Sequence, residues 1–404
     1  MNRRAAWISC LAIWAALSGL LSGCLGSREL NSLSIVLAMG IDKVGDEYEV
    51  SVQIIDASQM SRTRMVDRSV IEVFAERSPT IFEAVRKFTT QSSRELYFSH
   101  MRFLLFDEAT AEEGIRRPID LLVRDSGIRP DFHIAIVKGG RAKDLMELVT
   151  PTEVLPAMDL YKSLKLSEQS WAPTAAVNVK DLLMMMASEG MSLVLTGVKF
   201  EGDIERGKTS GNVKQPKIYG DYRYTGIGVF REDRLVGWMD EEESKAVTYI
   251  ANKVYSTVAH VKCPMSDGDF VVEVRKVQVH RKPRLVDNQP LMRLNVDVDA
   301  NIAEVECNVD VKDEKSIQSM QQVASEELEE VLRAGIRKAQ KEFEADVFGF
   351  GETFHRRYPK RWHRWERDWP AKFKAMPVEI SIDYHLRRHG KIINPVDNFS
   401  DEGG

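Results

Sequence analysis

Long apolar runs are nearly absent from the 404-residue chain: only the N-terminal segment contains one, and no later stretch reaches the roughly 20 residues needed to cross a bilayer. An excess of positive charge is absent as well, since 56 Lys and Arg residues face 61 Asp and Glu residues for a net charge of -5. That balance gives no reason to expect nucleic acid as a partner. Most of the chain is therefore predicted to form a water-soluble body.

The sequence also lacks the motifs of common enzymes. It has no phosphate-binding loop, and residues 226–228 are followed by Arg231 where a dinucleotide-binding fingerprint needs another glycine. Ser99 and His100 are adjacent in a predicted strand, where neighbouring side chains point to opposite faces, so they cannot act together as nucleophile and base. His100 is interpreted as structural. We expect no enzyme activity and no cofactor.

Metal-binding patterns are equally scarce. His385 and His389 have the spacing of two ligands on a helix, but His385 belongs to an alternating strand, so the two would not share a face in the way zinc needs. The acidic run Asp240–Glu243 could bind a divalent cation. Such a run is more typical of the first turn of a helix, where carboxylates face the positive end of the helix dipole. We expect that helix over 244–254 and no metal site.

What the N-terminus does contain has the layout of a secretory signal. Arg3 and Arg4 precede the apolar segment 5–21, and Cys24 ends the sequence Leu-Ser-Gly-Cys. A thiol at the first mature position can carry a diacylglyceryl group, and two acyl chains suit durable attachment because one short chain binds a membrane only marginally. Cys24 is therefore the predicted lipid attachment site. A plain secretory signal or an uncleaved anchor helix is the alternative.

Two cysteines remain once the signal and the lipid site are set aside. In the non-reducing compartment that an exported chain enters, Cys263 and Cys307 could form a disulfide. They could equally stay as two buried thiols, and the sequence leaves both states open.

The mature length of about 380 residues exceeds what one hydrophobic core usually organises, so two or three domains are expected. A polar stretch with several glycines marks the best internal boundary, either as a linker or as a long exposed loop. The predicted divisions are a signal peptide over 1–23, an N-terminal α/β region over 24–202 that could divide near 145, a polar linker or loop over 203–225, a C-terminal domain over 226–397 and a flexible tail over 398–404.

Strands and helices alternate in the N-terminal region, which favours an α/β or α+β arrangement. Residues 35–42 and the alternating apolar positions of 48–54 predict a β-hairpin. A helix is expected over 109–124. Another, capped by Asn178, contains the three methionines 184–186, which are interpreted as adaptable core packing rather than a ligand surface.

The C-terminal region is rich in strands, with alternation in 291–307, and such neighbours favour an antiparallel sheet. Apolar positions recur every three to five residues over 315–346, which predicts one long amphipathic helix packed onto that sheet. Residues 378–386 alternate again. The predicted fold class is α+β, a multi-domain mixed α/β chain with a C-terminal antiparallel sheet packed by one long helix.

Five segments stand out, in order, over nearly the whole mature chain. They are Cys24 with Ser-Arg-Glu-Leu at 27–30, Val-Leu-Ala-Met-Gly-Ile-Asp-Lys at 36–43, Leu-Tyr-Phe-Ser-His at 96–100, Gly-Val-Phe at 228–230 with Leu-Val-Gly-Trp at 235–238, and Asp-Val-Phe-Gly-Phe-Gly-Glu at 346–352 with His355, Tyr358, Pro359 and Trp362. Together they resemble the Ger(x)C family of spore germination lipoproteins, the C subunits of nutrient germinant receptors in endospore-forming bacteria.

The resemblance implies a non-enzymatic subunit of three mixed α/β domains, held by its lipid on the outer face of the cytoplasmic (spore inner) membrane. Its implied partners are a permease-like subunit and a second integral-membrane subunit of the receptor, and its implied role is receptor assembly and germination signalling. The alternative is a substrate-binding lipoprotein of a transporter, which would need two similar lobes. A surface-tethered hydrolase is a third class, for which we find no nucleophile constellation.

The longest matching segment also has a physical interpretation. Gly349 and Gly351 flank Phe350 beyond the long helix, so the chain can leave helical geometry by positive φ. The rings of Phe348 and Phe350 would be buried there. The tryptophans and arginines that follow are residue types enriched at interface anchors, and they also suit anionic headgroups. The predicted partner-docking residues are Trp362, Arg361, Trp365 and Arg364.

Overall fold

The computed structural model describes residues 32–55, 70–171, 173–264, 266–307 and 309–387, together with Trp7. Cys24, His389 and the tail 398–404 lie outside these residues, so the statements made about them above stay predictions. Within the described ranges, no helix combines the length and the apolarity that a membrane span requires.

A large mixed sheet occupies the first part of the molecule, called here the large-sheet region. Its strands are β1 (Leu33–Val44), β2 (Glu47–Ile55), β3 (Ile71–Ser78), β4 (Glu95–Tyr97), β5 (Phe103–Asp107), β6 (His133–Val137), β7 (Val194–Gly202), β8 (Gly220–Arg231) and β9 (Arg234–Met239). The spatial order is β3-β2-β1-β5-β6-β7-β8-β9, and the short β4 pairs with β1. Strands β1, β5, β6 and β7 are parallel neighbours, while antiparallel pairs extend the sheet at both edges.

Helices cover both faces of this sheet. They are α1 (Ile81–Lys87), α2 (Glu108–Glu113), α3 (Arg116–Arg124), α4 (Ala142–Glu147), α5 (Pro156–Ser170), α6 (Val179–Ala187) and the single turn α7 (Ile204–Gly207). On one face Ile119 of α3 and Leu182 of α6 join the main hydrophobic core, and on the other Leu145 of α4 and Leu160 of α5 form a second core. Strands between two such layers are buried on both sides, as the fully buried β5 and β6 are.

The hairpin predicted at the start of the region is confirmed, since β1 and β2 pair antiparallel around a turn in which Gly45 has a φ of 61°. The single helix expected over 109–124 is wrong. Gly114, with a φ of 129°, separates α2 from α3, and Asp107 caps α2 by accepting the Thr110 N–H at 2.9 Å.

Residues 203–225 are not a linker between the two sheets. They contain α7 and the start of β8, and they connect β7 to its antiparallel neighbour within the large sheet. The buried side chain of Asn212 fixes this connection, because its amide donates to the carbonyls of Val149 and Gly220 and its oxygen accepts the N–H groups of Tyr219 and Gly220. The polar composition of this stretch predicted an exposed connection. It could not reveal that β8 and β9 complete the first sheet.

The second part of the molecule, the small-sheet region, follows β9. Its elements are α8 (Glu241–Ile250), β10 (Thr257–Lys262), β11 (Asp269–Val286), β12 (Gln289–Val305), α9 (Glu314–Lys338), α10 (Phe350–Arg357), α11 (Pro359–Trp365), α12 (Trp369–Ala375) and β13 (Val378–Arg387). The sheet order is β10-β11-β12-β13. The first three strands are antiparallel, and β13 adds parallel to β12.

The long helix packs one stripe onto this sheet, as predicted. Buried residues recur along α9 at Ile317, Met320, Ala324, Leu328, Leu332 and Ile336. The helix ends earlier than 346, because a π-helical turn over Ala339–Phe343 follows Lys338 and Glu344 then adopts the left-handed conformation with a φ of 49°. The mixed α+β class with a helix-packed C-terminal sheet is confirmed. One main core runs through both regions, from Val36 to Leu386.

Candidate functional site

The segment that follows the long helix, residues 344–375, contains the predicted docking residues and begins with an irregular loop over 344–349. Gly349 has a φ of 66°, as expected for a glycine at a tight exit. Gly351 has a different role. A Cβ on it would lie 2.6 Å from the Gly190 Cα, so it allows two backbones to touch.

Asp346 organises this turn. Its buried carboxylate accepts the backbone N–H groups of Phe348 at 3.2 Å, Phe350 at 3.1 Å and Gly351 at 2.7 Å, and the Trp369 Nε1–H at 2.9 Å. Burial raises the pKa of Asp346 to about 6, and the donated hydrogen bonds counteract part of that rise. The side chain thus ties an irregular loop to α12, a role that the sequence analysis did not predict for this first residue of the segment 346–352.

Aromatic rings pack beneath this turn, and the prediction that Phe348 and Phe350 are buried is correct. Their centroids are 5.2 Å apart in a stacked arrangement, and Trp362 and Trp369 are also 5.2 Å apart. Trp362 is 1% exposed and Trp365 is 7% exposed. These two tryptophans are therefore core residues, which corrects the expectation that they form a docking face.

Helical spacing explains the correction. Positions 362 and 365 of α11 have the three-residue spacing that puts side chains on one face of a helix, and both are buried, with Trp369 at the start of α12 buried beside Trp362. The arginines between them must then point outward. This spacing, visible in the sequence, would have predicted that the indole rings are buried in the core.

Basic side chains cover the outside of this segment. We define the basic face as Arg356, Arg357, Lys360, Arg361, Arg364 and Arg367. Arg361 is half-buried and the other five are exposed. In the part of the chain that the structure describes, none of the six forms an ion pair. The neighbouring acids are engaged elsewhere, since Glu366 lies 3.4 Å from His363 and Asp368 lies 3.9 Å from Lys372. The basic face is thus an uncompensated positive surface.

The hairpin between β11 and β12 supports this face from below. Tyr358 Oη donates to the Pro283 carbonyl at 3.4 Å, and Arg281 Nη1 donates to the Phe348 carbonyl at 2.9 Å. Burial lowers the pKa of Arg281, and the neighbouring charge of Arg356 lowers it further. Arg281 therefore lies close enough to Arg356 for the two like charges to repel each other.

The same segment joins the two regions of the molecule. The Ser192 N–H donates to the Asp346 carbonyl at 2.8 Å, and the Glu352 N–H donates to the Gly190 carbonyl at 3.2 Å. Ser188 Oγ donates to Glu352 Oε1 at 2.6 Å. Residues 188–192 connect α6 to β7, so the loop after the long helix is fastened to the large-sheet region by backbone and side-chain hydrogen bonds.

Cys263 and Cys307, whose state the sequence left open, form a disulfide with a Cα–Cα distance of 6.4 Å. The bond joins the residue directly after β10 to the second residue after β12. It lies in the small-sheet region, and both cysteines precede α9 in the chain.

The remaining candidates have structural roles. Asp240 and Glu243 form a reciprocal cap on α8, in which each carboxylate accepts the other's backbone N–H at 2.9 Å, so the acidic run begins a helix as expected. His100 lies exposed in a 3₁₀ turn rather than in a strand, and Ser99 Oγ donates to the Gly127 carbonyl at 2.7 Å. These two side chains are not hydrogen-bonded to each other.

His385 lies on β13 with its Nε2 3.4 Å from Asp383 Oδ2, in the alternating strand that the sequence predicted. Among the described residues, no group of three or more His, Cys, Asp or Glu side chains is arranged to hold a metal ion. Residues 226–228 lie inside β8, between antiparallel neighbours.

Comparison with known proteins gives two matching family models, in order along the chain. A model described as the spore germination protein N-terminal domain matches residues 26–200, and one described as spore germination B3/GerAC-like, C-terminal, matches residues 225–390. Spore germination protein KC of Bacillus subtilis (strain 168) is 26% identical over 95% of this chain and 96% of its own length. Spore germination protein A3 of the same organism is 23% identical, over 91% and 93%.

A solved structure shares the fold. The crystal structure of the GerBC protein covers 86% of this chain and 96% of its own, with a TM-score of 0.57 and 14% identity. That likeness extends over both the large-sheet and the small-sheet regions, and it is a likeness of fold alone.

Proposed function

The chain belongs to the spore germination B3/GerAC-like family, and from that premise we propose that it is the lipid-anchored, non-enzymatic subunit of a nutrient germinant receptor. The observation that carries the proposal is the match of both family models, one after the other, over most of the chain. In this proposal the subunit supports receptor assembly and transmits the germination signal beside a permease-like subunit and a second integral-membrane subunit.

Anchoring is proposed through Cys24, which would place the body on the outer face of the cytoplasmic membrane, the spore inner membrane. The Cys24→Ala variant, expressed in a sporulating host, should lose membrane retention and nutrient-triggered germination together. Cys10→Ala is the matched control, because it removes a cysteine inside the signal and leaves the lipid site intact. Unchanged retention and response in Cys24→Ala would refute the anchoring role.

Contact with the partner subunits is proposed through the basic face. Its six basic residues form no ion pairs with described acidic residues, so an acidic partner surface would gain attraction without breaking existing pairs. Steering by such charge weakens as salt is added. The proposal therefore predicts partner recovery that falls with ionic strength.

The test is a charge reversal. Arg361→Glu with Arg364→Glu should reduce co-purification of the integral-membrane subunits while the thermal unfolding midpoint stays near that of the parent. The control pair Arg116→Glu with Arg117→Glu changes the same charge on exposed residues of α3. Equal recovery from both variants would refute docking at the basic face, and so would loss of binding to anionic vesicles with recovery of the subunits intact.

The transporter alternative requires two similar lobes around a cleft. A nine-stranded mixed sheet and a four-stranded sheet under a long helix are unequal in size and connection. This inequality disfavours a substrate-binding lipoprotein and is compatible with the receptor-subunit proposal.

A further inference from the structure

A cavity of about 570 Å³ opens where the two regions meet, between α6, the C-terminal end of α8 and the loop that Asp346 organises. Its volume lies within the range of about 300 to 1,000 Å³ that is typical of small-molecule sites. None of the described residues that line it belongs to the basic face. The cavity is therefore a feature separate from the proposed docking surface.

Methionines and aliphatic side chains form its walls. Met184 and Met185 come from α6 and Met191 from the loop before β7, while valines of α8 and of the loop face them. Met185 is buried, but Met184 is 65% exposed. The interpretation of this methionine cluster as core packing thus holds for Met185 and is wrong for Met184. Flexible thioether side chains suit a wall that adapts to an apolar ligand.

Charges at the cavity are mostly negative. Asp181 and Glu352 line it together with one cation, Lys253. Burial raises the pKa of nearby Glu168, and the charge of Asp181 raises that pKa while the charge of Lys253 lowers it. In the cavity lining itself, the two carboxyl groups of Asp181 and Glu352 stand against the one ammonium of Lys253. Asp181 has no ion pair with any residue that the structure describes.

We propose that this cavity binds a small aliphatic molecule that carries a positively charged amine group. The alkyl chain packs against Met184, Met185 and Met191, and the ammonium lies toward Asp181 and Glu352. Glu352 is suited to this because Ser188 occupies only its Oε1 atom. Apolar walls with a few charged groups are the usual composition of sites that orient a small ligand.

A ligand in the cavity would contact both regions of the molecule. Its wall includes Met191 and Ser188 from the large-sheet side and Val347 and Glu352 from the other. The hydrogen bonds of Ser192 to Asp346 and of Glu352 to Gly190 join the same two segments. A ligand that binds this junction in the folded chain stabilises it by mass action.

The test uses the full chain in lipid nanodiscs, with its methionine methyl groups labelled with ¹³C, and n-hexylammonium as the probe. Titration should shift the methyl signals of Met184, Met185 and Met191 in a saturable way and leave that of Met292, which is buried in the small sheet, unchanged. Hexanoate should bind about fivefold more weakly, because its negative charge is repelled by the carboxylates of Asp181 and Glu352. Equal binding of hexanoate, or no saturable shift at the three methionines, would overturn the proposal.

Two variants sharpen the test. Asp181→Asn with Glu352→Gln should remove the preference for hexylammonium over hexanoate, whereas Glu189→Gln, an exposed neighbour outside the cavity lining, should keep it. Ala187→Trp adds bulk at an exposed position of the wall and should abolish the methyl shifts in a chain whose unfolding midpoint is unchanged. Retention of the shifts in Ala187→Trp would show that the probe binds elsewhere, which contradicts the proposal.

Discussion

The large-sheet and small-sheet regions bury their strands in different ways. In the former, β5 and β6 are buried along their whole length because helices lie on both faces. In the latter, β11, β12 and β13 alternate buried and exposed residues because only one face is covered. The small-sheet region therefore has less apolar burial for each strand residue.

The second region compensates with specific cross-links. It contains the Cys263–Cys307 disulfide near one end of its sheet and the Asp346 carboxylate with its aromatic cluster beyond the long helix. The large-sheet region has two layers of apolar contacts to hold it. The comparison teaches that a half-covered sheet depends on a few individual residues, whereas a doubly covered sheet spreads its stability over many.

Removal of one indole should have the largest effect. Trp362→Ala deletes a fully buried side chain that packs on Trp369, and a cost of about 4 kcal/mol in the free energy of unfolding is expected. Urea denaturation followed by circular dichroism measures this cost. Trp171→Ala is the control, since Trp171 is 42% exposed at the end of α5 and should cost under about 1 kcal/mol. Similar costs for the two variants would contradict the assignment of Trp362 to the core.

Loss of the disulfide should rank next. Cys263→Ser with Cys307→Ser removes a cross-link between residues that are 44 positions apart in the sequence. The expected loss in the free energy of unfolding is about 3 kcal/mol. Limited proteolysis coupled to mass spectrometry would locate the loosened segment. Cleavage should rise first between β10 and α9 and not in β5 or β6. Equal protection of parent and variant, or cleavage that begins in the large sheet, would break the comparison.

Much of the fold could be predicted from local patterns, and the failures share a cause. Alternation identified β12 and β13 because one face of their sheet meets solvent, and a three-to-five-residue period identified α9. Strand pairing depends on contacts between residues far apart in sequence. The addition of β8 and β9 to the first sheet was therefore missed, and so was the parallel placement of β13 beside β12.

The candidate site was predicted in part. The turn at Gly349 and the buried phenylalanines followed from residue type, and the arginines do lie outside. The tryptophans were misplaced because residue type was given more weight than their helical spacing. The role of Asp346 could not be predicted, since a carboxylate that binds three backbone N–H groups is defined by loop geometry rather than by any sequence period.

A moderate effect is expected at the buried carboxylate of the small-sheet region. Asp346→Asn replaces one acceptor oxygen with an amide donor, which faces N–H groups of the loop, so the free energy of unfolding at pH 7 should fall by about 2 kcal/mol. Asp42, in the large-sheet region, caps α4 through the N–H groups of Ala142 and Lys143. Asp42→Asn keeps one acceptor oxygen and loses one of these two hydrogen bonds, whereas Asp346→Asn loses two of four, so Asp42→Asn should cost about 1 kcal/mol.

The contribution of the Asp346 carboxyl can be isolated from the pH dependence of the free energy of unfolding. Folding raises its pKa from about 3.9 to about 6, so the folded chain holds the proton more tightly. The stabilisation from this group is complete below pH 4 and is lost as the pH rises through 6. Relative to Asp346→Asn, the parent should lose about 2 kcal/mol of stability between pH 4 and pH 7. Parallel pH profiles would contradict a raised pKa.

The smallest effect is expected on the outside of the same helix that carries the largest. Arg364 lies two positions from Trp362 and one from Trp365, yet its side chain is exposed and forms no ion pair with a described residue. Arg364→Ala should therefore change the free energy of unfolding by less than about 0.5 kcal/mol. The same urea titration that reports on Trp362→Ala measures it. A cost near that of the tryptophan would mean that the arginine packs in the core, and the inside-outside assignment of α11 would fail. A cost near zero, together with reduced partner recovery in the Arg361→Glu and Arg364→Glu variant, would show that the buried tryptophans stabilise this segment and the exposed arginines bind the partner.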